Sequence, residues 1–266
     1  MPHMDKERLE ELLEFAVNAA WDAGRVTLGY FQTELAIDYK PDRSPVTEAD
    51  RRAELKLREL IGRYWPQHGI LGEEFGQQAG ASGLTWILDP IDGTRSFVHG
   101  VPLYAVLIAL VEGEGAPVLG VVHFPALHET VYAARGAGCY WDGRRARVSA
   151  ANDLKQATLL TSELNTFAPR GRARAWDRLV AATGVQRTWG DAYGYALVAT
   201  GRADIMVDPV MEVWDCGPHQ VILEESGGAF TDWQGRPTIY GRESIATNGI
   251  LHGEVLKLVR DEGVGA

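Results

Sequence analysis

Between residues 5 and 31 the apolar side chains Leu9, Leu12, Leu13, Ala16, Ala20 and Ala23 recur at helical spacing, with acids and bases filling the gaps. The spacing predicts one long amphipathic helix with a scaffolding role. A second stripe, Ala53, Leu57, Leu60, Ile61 and Tyr64, follows Thr47-Glu48-Ala49-Asp50. Thr47 suits an N-cap and the acids suit a first turn, while Pro66 ends the helix. The pattern then changes. Residues 85–88, 103–111, 118–123, 130–134 and 139–141 read as strands parted by glycines and Pro117, which predicts a mainly antiparallel sheet. Past a boundary near 148–155 the elements alternate, with strands at 158–161, 186–188 and 205–207 and helices at 172–183, 193–200, 215–225 and 251–261. The expectation is a layered α/β (α+β) architecture in two halves, 1–150 and 151–266, with no flexible linker and no repeat.

Composition narrows the function classes. At 266 residues, 45% apolar and 23% charged, the chain can bury a large core. A net charge of −10 argues against a general binder of nucleic acid or anionic membranes. Met1-Pro2-His3-Met4-Asp5-Lys6-Glu7-Arg8 has no apolar core of signal-peptide type, and the longest apolar run, 101–111, is too short to span a bilayer. With only Cys139 and Cys216, neither a disulfide framework nor a cysteine-rich zinc site is expected. The seven histidines show no zinc-hydrolase spacing. The expectation from these features is a soluble cytoplasmic protein.

The chemistry concentrates in Asp89-Pro90-Ile91-Asp92-Gly93-Thr94. Pro90 fixes its own φ and biases Asp89 toward extended geometry, so both carboxylates can leave a strand end toward one spot. Two like charges held that close repel unless a cation lies between them, and clustered hard oxygens favour Mg²⁺, Mn²⁺ or Ca²⁺. The N–H groups of Gly93 and Thr94 follow at a turn or helix start, where a phosphate can bind. Ordinary turn chemistry accounts for Asp-Pro and Asp-Gly equally well when this stretch is taken alone. Glu73-Glu74 between Gly72 and Phe75-Gly76 reads either as an exposed acidic loop or as chain returning to the same sheet end. Asp215, after Trp214, opens a helix where an acid is favourable in any case.

Taken together, Lys40…Pro45-Val46-Thr47-Glu48-Ala49-Asp50, Gly72-Glu73-Glu74, Asp89 to Thr94, and Trp214-Asp215…Glu224-Glu225-Ser226-Gly227-Gly228 resemble the inositol monophosphatase family of lithium-sensitive, magnesium-dependent phosphatases. The resemblance covers nearly the whole chain. It implies an α-β-α-β-α sandwich, a homodimer, and hydrolysis of a small phosphorylated substrate with two or three Mg²⁺ per site, Mn²⁺ being a substitute. In that pattern Glu73, Asp89 and the Ile91 carbonyl hold one metal, and Asp89, Asp92 and Asp215 a second. Glu73 also reaches a third ion through water. Thr94 and Asp50 orient the attacking water, Gly93 and Thr94 hold the phosphate, Glu74 supports the ligands, and Lys40 is a basic group near the site.

Two further stretches, Trp189-Gly190-Asp191-Ala192-Tyr193-Gly194-Tyr195 and Asp208-Pro209-Val210-Met211-Glu212-Val213-Trp214-Asp215, resemble the histidinol-phosphatase branch. An inositol phosphate is neutral beyond its phosphate, whereas histidinol phosphate carries an ammonium and a titrating imidazole. Carboxylates around the leaving group favour the cationic ester, and the candidates are Asp191, Asp208 and Glu212. Trp189, Tyr193, Tyr195 and Trp214 read as a wall for an imidazole or as core. His219 and Gln220 depart from the small apolar residues frequent in that branch. A broad inositol-1-phosphate or sugar-phosphate phosphatase is the alternative expectation.

Overall fold

The computed structural model describes residues 5–41 and 43–260. Met1 to Met4, Asp42 in the Lys40 segment and Asp261 at the expected end of the last helix lie outside them.

The first helix, Lys6–Leu28, starts where Asp5 accepts a hydrogen bond from the Arg8 N–H, and it buries Leu12, Ala16, Ala19, Ala20 and Ala23. Its small residues bring it close to the sheet: a Cβ on Gly24 would stand 2.8 Å from the His123 ring. The second helix, Glu48–Tyr64, carries the expected cap, in which the Thr47 hydroxyl accepts from the backbone while Asp50 accepts from the Thr47 N–H. Both helices pack on one face of an eight-stranded sheet, against Trp86, Leu88, Val106, Ile108 and Leu110.

Strand Ala105–Glu112 shows why the expected apolar run is so long. Its alternate residues face opposite layers, with Val106, Ile108 and Leu110 toward the two helices and Leu107, Ala109 and Val111 toward the interior. That interior layer is formed by helices Ala192–Ala199 and His219–Ser226, which pack through Tyr195, Val198, Val221 and Ile222. On their far side Leu160, Met206 and Ala246 belong to a five-stranded sheet. Its outer face, with Leu159, Ile205, Val207 and Ile245, is covered by Ala173–Ala182 and His252–Arg260. Five layers result, helix, sheet, helix, sheet, helix, as the resemblance implies.

Sheet topology positions the chemistry. In the larger sheet the interior strand Leu84–Asp92 lies antiparallel to Ala105–Glu112 and parallel to Gly69–Gly72, with Gly72 opposite Leu88. The parallel register continues to Glu73, whose N–H donates to the Leu88 carbonyl, so Glu73 arrives beside Asp89. The strand runs on through Asp92, past the expected end at 88. Its pairing shifts between Asp89 (opposite Leu107) and Asp92 (opposite Ala105), a bulge of one extra residue. Residues three apart on a regular strand point to opposite faces; the extra residue returns both carboxylates to one side.

Other differences have local causes. The single helix expected over 215–225 is two, Val213–Cys216 and His219–Ser226, because Pro218 interrupts the hydrogen-bond ladder after Gly217. Strands Gly76–Gln78, Ala229–Thr231 and Ser244–Thr247 were not expected from the pattern. They are short, and the last two take their identity from pairing, Ala229–Thr231 with Ser244–Thr247 and the latter also with Ile205–Asp208.

Candidate active site

Two chain segments deliver three carboxylates to one point. Asp89 and Asp92 come from the bulged strand and Asp215 from the four-residue helix Val213–Cys216, and one oxygen of each lies within 4.8 Å of those of the other two. Each is aimed by a backbone N–H. Asp89 Oδ1 accepts from Ile91 at 3.0 Å, Asp92 Oδ2 from Ala192 at 2.6 Å and Asp215 Oδ2 from Glu212 at 2.7 Å. Burial, then repulsion from Glu73, Asp92 and Asp215, pushes the Asp89 carboxyl well above its ordinary range. Asp92 is pushed the same way by burial, Asp191 and Asp215. Asp215 rises to about 7, chiefly through burial. Such a set is stable in the ionised form only around a cation, and an all-oxygen donor set suits a hard divalent one.

Glu73 joins the group from its neighbouring strand. Burial raises its carboxyl, opposed by Lys40, whose Nζ stands 2.6 Å from both Glu73 Oε1 and Glu74 Oε1. Glu73 lines the cavity, whereas Lys40 and Glu74 are not among the side chains that line it. Asp50 is held by Thr47 through Oδ2 (2.8 Å from N, 2.6 Å from Oγ1), leaving Oδ1 3.3 Å from the Thr94 hydroxyl. The same hydroxyl lies 3.0 Å from the Ile91 carbonyl. The cap of the second helix and the candidate water-orienting pair are thus one structure.

Gly93 has φ 78°, a left-handed conformation favouring glycine, and a Cβ there would meet Asp191 Oδ2 at 2.8 Å. The turn opens helix Thr94–Val98 toward a cavity of about 480 Å³ that also touches the three aspartates.

The expected leaving-group residues separate. Asp191 lines the cavity and adopts φ 52° and ψ −153°, a strained conformation for a residue with a Cβ that costs about 1–3 kcal/mol. Its N–H donates to Ser162 Oγ at 2.9 Å, Ser96 Oγ donates to its Oδ2 at 3.3 Å, and burial is the main cause of its raised pKa. Asp208 also lines the cavity, but Thr161 Oγ1, Ser162 N, Ser162 Oγ and the Tyr195 hydroxyl all donate to it. Burial still lifts it to about 6. Glu212 is not among the cavity-lining side chains. It exchanges capping hydrogen bonds with Asp215 and pairs outward with Arg242, so it braces a metal-set aspartate from behind.

The expected aromatic wall disperses for reasons of packing. Only Tyr195 of the four lines the cavity; Tyr193 meets Phe124 edge-on at 5.1 Å and Trp189 is 44% exposed. His219 stacks on Tyr195 at 4.3 Å and is neutral, burial pulling its pKa down to about 3.

Sequence reasoning passed over Glu54, Arg95 and Glu163. Glu54 is fully buried, accepts from the N–H groups of Glu74 (2.7 Å) and Phe75 (3.2 Å), and pairs with Arg58 at 2.7 Å. It lies so close to Gly72 that a Cβ there would stand 2.0 Å from Oε1. An acid beside Ala53 on the apolar stripe was the available signal. Glu54→Ala is expected to lower stability by about 3 kcal/mol, since it takes the carboxylate from a largely buried guanidinium and the acceptor from two loop N–H groups. Urea unfolding measures it, and a loss under 1 kcal/mol would remove Glu54 from this role. Arg95 and Glu163 line the cavity as an ion pair at 2.9 Å.

Among known proteins, the family model described as the inositol monophosphatase family matches residues 8–263. A histidinol-phosphatase of Chlorobaculum parvum is 44% identical over 88% of this chain and 91% of its own length. A histidinol-phosphatase of Mycobacterium tuberculosis is 43% identical over 84% and 87% respectively. The crystal structure of the extragenic suppressor protein suhB of Bartonella henselae superposes with a TM-score of 0.88 at 29% identity, covering 95% of this chain and all of that one. With the five layers, the aligned carboxylates and a match across almost its entire length, the chain belongs to the inositol monophosphatase family.

Proposed function

We propose that this chain hydrolyses L-histidinol phosphate to L-histidinol and phosphate as a Mg²⁺-dependent phosphomonoesterase. The observation that carries the substrate reading is Asp191, a half-buried acid on strained backbone placed against the Gly93 turn, facing the cavity that holds the metal set. The similarity to histidinol-phosphatases at 43% and 44% identity supports the same reading.

Glu73, Asp89, Asp92, Asp215 and the Ile91 carbonyl are the groups that would hold Mg²⁺, two or three ions, with Mn²⁺ as a substitute. Bound there, the metal supplies Lewis-acid charge neutralisation and lowers the pKa of a coordinated water. The chain's own residues do the rest. Asp50 and Thr94 orient the attacking water through the hydroxyl that links them. The Gly93 and Thr94 N–H groups hold the phosphoryl oxygens for in-line displacement, which depends mainly on positioning. Asp191 favours a positively charged leaving group. Asp208, with four donors already on its carboxylate, acts by fixing Ser162 and Tyr195 in the cavity wall, and Glu212 by fixing Asp215. In this reading residues 1–150 carry most metal ligands, and residues 151–266 carry Asp215 and the leaving-group wall. No helix among the described residues is long and apolar enough to cross a membrane. A cytoplasmic homodimer is the working form.

The test is kcat/KM with Mg²⁺ for histidinol phosphate, inositol-1-phosphate, fructose-1,6-bisphosphate and adenosine 3′,5′-bisphosphate. A preference of about a hundredfold for histidinol phosphate is expected, roughly 2.7 kcal/mol of transition-state binding. A flat profile would leave the metal assignment standing and overturn the substrate.

A further inference from the structure

Arg95 is the only lysine or arginine among the described residues that line the cavity, against seven acids: Glu73, Asp89, Asp92, Glu163, Asp191 and Asp208, with Asp215. Four of those acids belong to the metal set. The other three, Glu163, Asp191 and Asp208, line the rest of the cavity. Arg95 directly follows the Gly93-Thr94 turn, yet its Nε is 2.9 Å from Glu163 Oε1, across the cavity on the other half of the chain. The Glu163 backbone is anchored, because Ser162 beside it donates to Asp208 from both N and Oγ at 2.9 Å. Its side chain is freer: Glu163 is 38% and Arg95 63% exposed. An ion pair that open to water is weak and readily exchanged. His219 in the same wall is neutral and adds no competing charge.

A guanidinium held over an acid on anchored backbone, within a cavity whose other charged side chains are all acids, marks where a positive charge belongs. We propose that Glu163 is a specificity-determining residue that reads a cationic group on the leaving alcohol, and that Arg95 is the built-in stand-in for that group in the free enzyme. On binding, the substrate cation takes the place of Arg95 at Glu163. This deepens the histidinol phosphate reading and rests on it for the natural ester, but the recognition itself is of charge. Glu163 therefore joins Asp191, whose N–H donates to the adjoining Ser162, in selecting amino-bearing esters.

The experiment compares kcat/KM for two cationic esters, histidinol phosphate and O-phosphoethanolamine, with two neutral ones, inositol-1-phosphate and glycerol 2-phosphate. The wild type, Glu163→Gln and Arg95→Gln are measured in the same Mg²⁺ buffer. Glu163→Gln is expected to lower the cationic-to-neutral ratio tenfold or more, mainly through KM, and Glu163→Asp to restore part of it. Arg95→Gln, which breaks the same ion pair, is expected to raise that ratio, because Glu163 is left without its internal partner. A merely structural ion pair would make the two glutamine variants behave alike, and that result, or an unchanged ratio in Glu163→Gln, overturns the inference. A wild type with no preference for histidinol phosphate over inositol-1-phosphate defeats the substrate reading instead. The O-phosphoethanolamine to glycerol 2-phosphate ratio still decides the role of Glu163 in that case.

Discussion

Asp92→Asn lowers kcat/KM by about a thousandfold, or roughly 4 kcal/mol of transition-state stabilisation, while the metal-free protein becomes more stable. The two effects have one cause. Asp92 shares its point in space with Asp89 and Asp215, and burial together with Asp191 and Asp215 opposes its ionisation. Asparagine keeps the shape and an oxygen to accept from the Ala192 N–H, now 2.6 Å from Oδ2, so the start of helix Ala192–Ala199 is retained. What disappears is one negative charge. Removing it relieves repulsion in the metal-free protein and deprives a bound metal of a ligand. Turnover at saturating Mg²⁺ and melting in EDTA read the two sides separately. Full turnover in the variant would remove Asp92 from the metal set, and a lower melting temperature in EDTA would show that its role is packing rather than charge.

Adding Mg²⁺ to EDTA-treated protein raises Tm by about 5–11 °C at pH 8 and by much less near pH 5. A ligand at a hundred times its Kd stabilises by about 2.7 kcal/mol, and a chain of this size gains roughly 2–4 °C per kcal/mol. The pH dependence follows from the direction of the carboxyl shifts. Asp215 has an ordinary value of 3.8 and a folded value of about 7, and Glu73, Asp89 and Asp92 are shifted upward as well. For an acid whose folded pKa is raised, the folded state binds more protons than the unfolded one between the two values, so stability falls as pH rises through that window. Its contribution is fully present below about pH 4 and lost by the time pH has passed 7. Metal-free protein therefore melts lower at pH 8 than at pH 5. The metal competes with protons for the same oxygens and is most effective where the carboxylates are ionised. Scanning calorimetry at pH 5, 6, 7 and 8, with and without Mg²⁺, tests this. A metal-free Tm that climbs from pH 5 to pH 8, or a Mg²⁺ increment larger at pH 5, would be incompatible with a buried carboxylate cluster as the ion site.

The residues differ in how far the chain alone exposes them. Thr47 and Asp50 were legible because a capping box is a contact three residues long, and the hydrogen bonds in the structure close it as the spacing predicts. The stripes around Leu12 and Leu57 were legible because helical period and burial coincide. Asp89 and Asp92 were legible as a pair, although Pro90 alone did not account for their common direction; the strand bulge did. Glu54 stood out only as an acid on an apolar stripe, a sign of burial that does not say which distant loop N–H groups it clamps. Asp208 was identified as an acid at the cavity, but a carboxylate already holding four donors has a different part from one with free oxygens.

By itself the sequence determined most of the helices and the run of antiparallel strands, the family resemblance and the residue types a divalent metal would need, since each is written in local spacing or in a contiguous motif. Tertiary structure alone decided which acids meet. Glu73 reaches Asp89 through a parallel pairing, Ala192 reaches Asp92 across 100 residues, and Asp191 settles over Gly93 only because its backbone accepts a left-handed φ. Glu163 meets Arg95 because two halves of the chain close on one cavity. The physical reason is that such meetings are set by strand register and layer packing, which depend on the whole core at once, whereas caps, periods and turns depend on neighbours a few residues away.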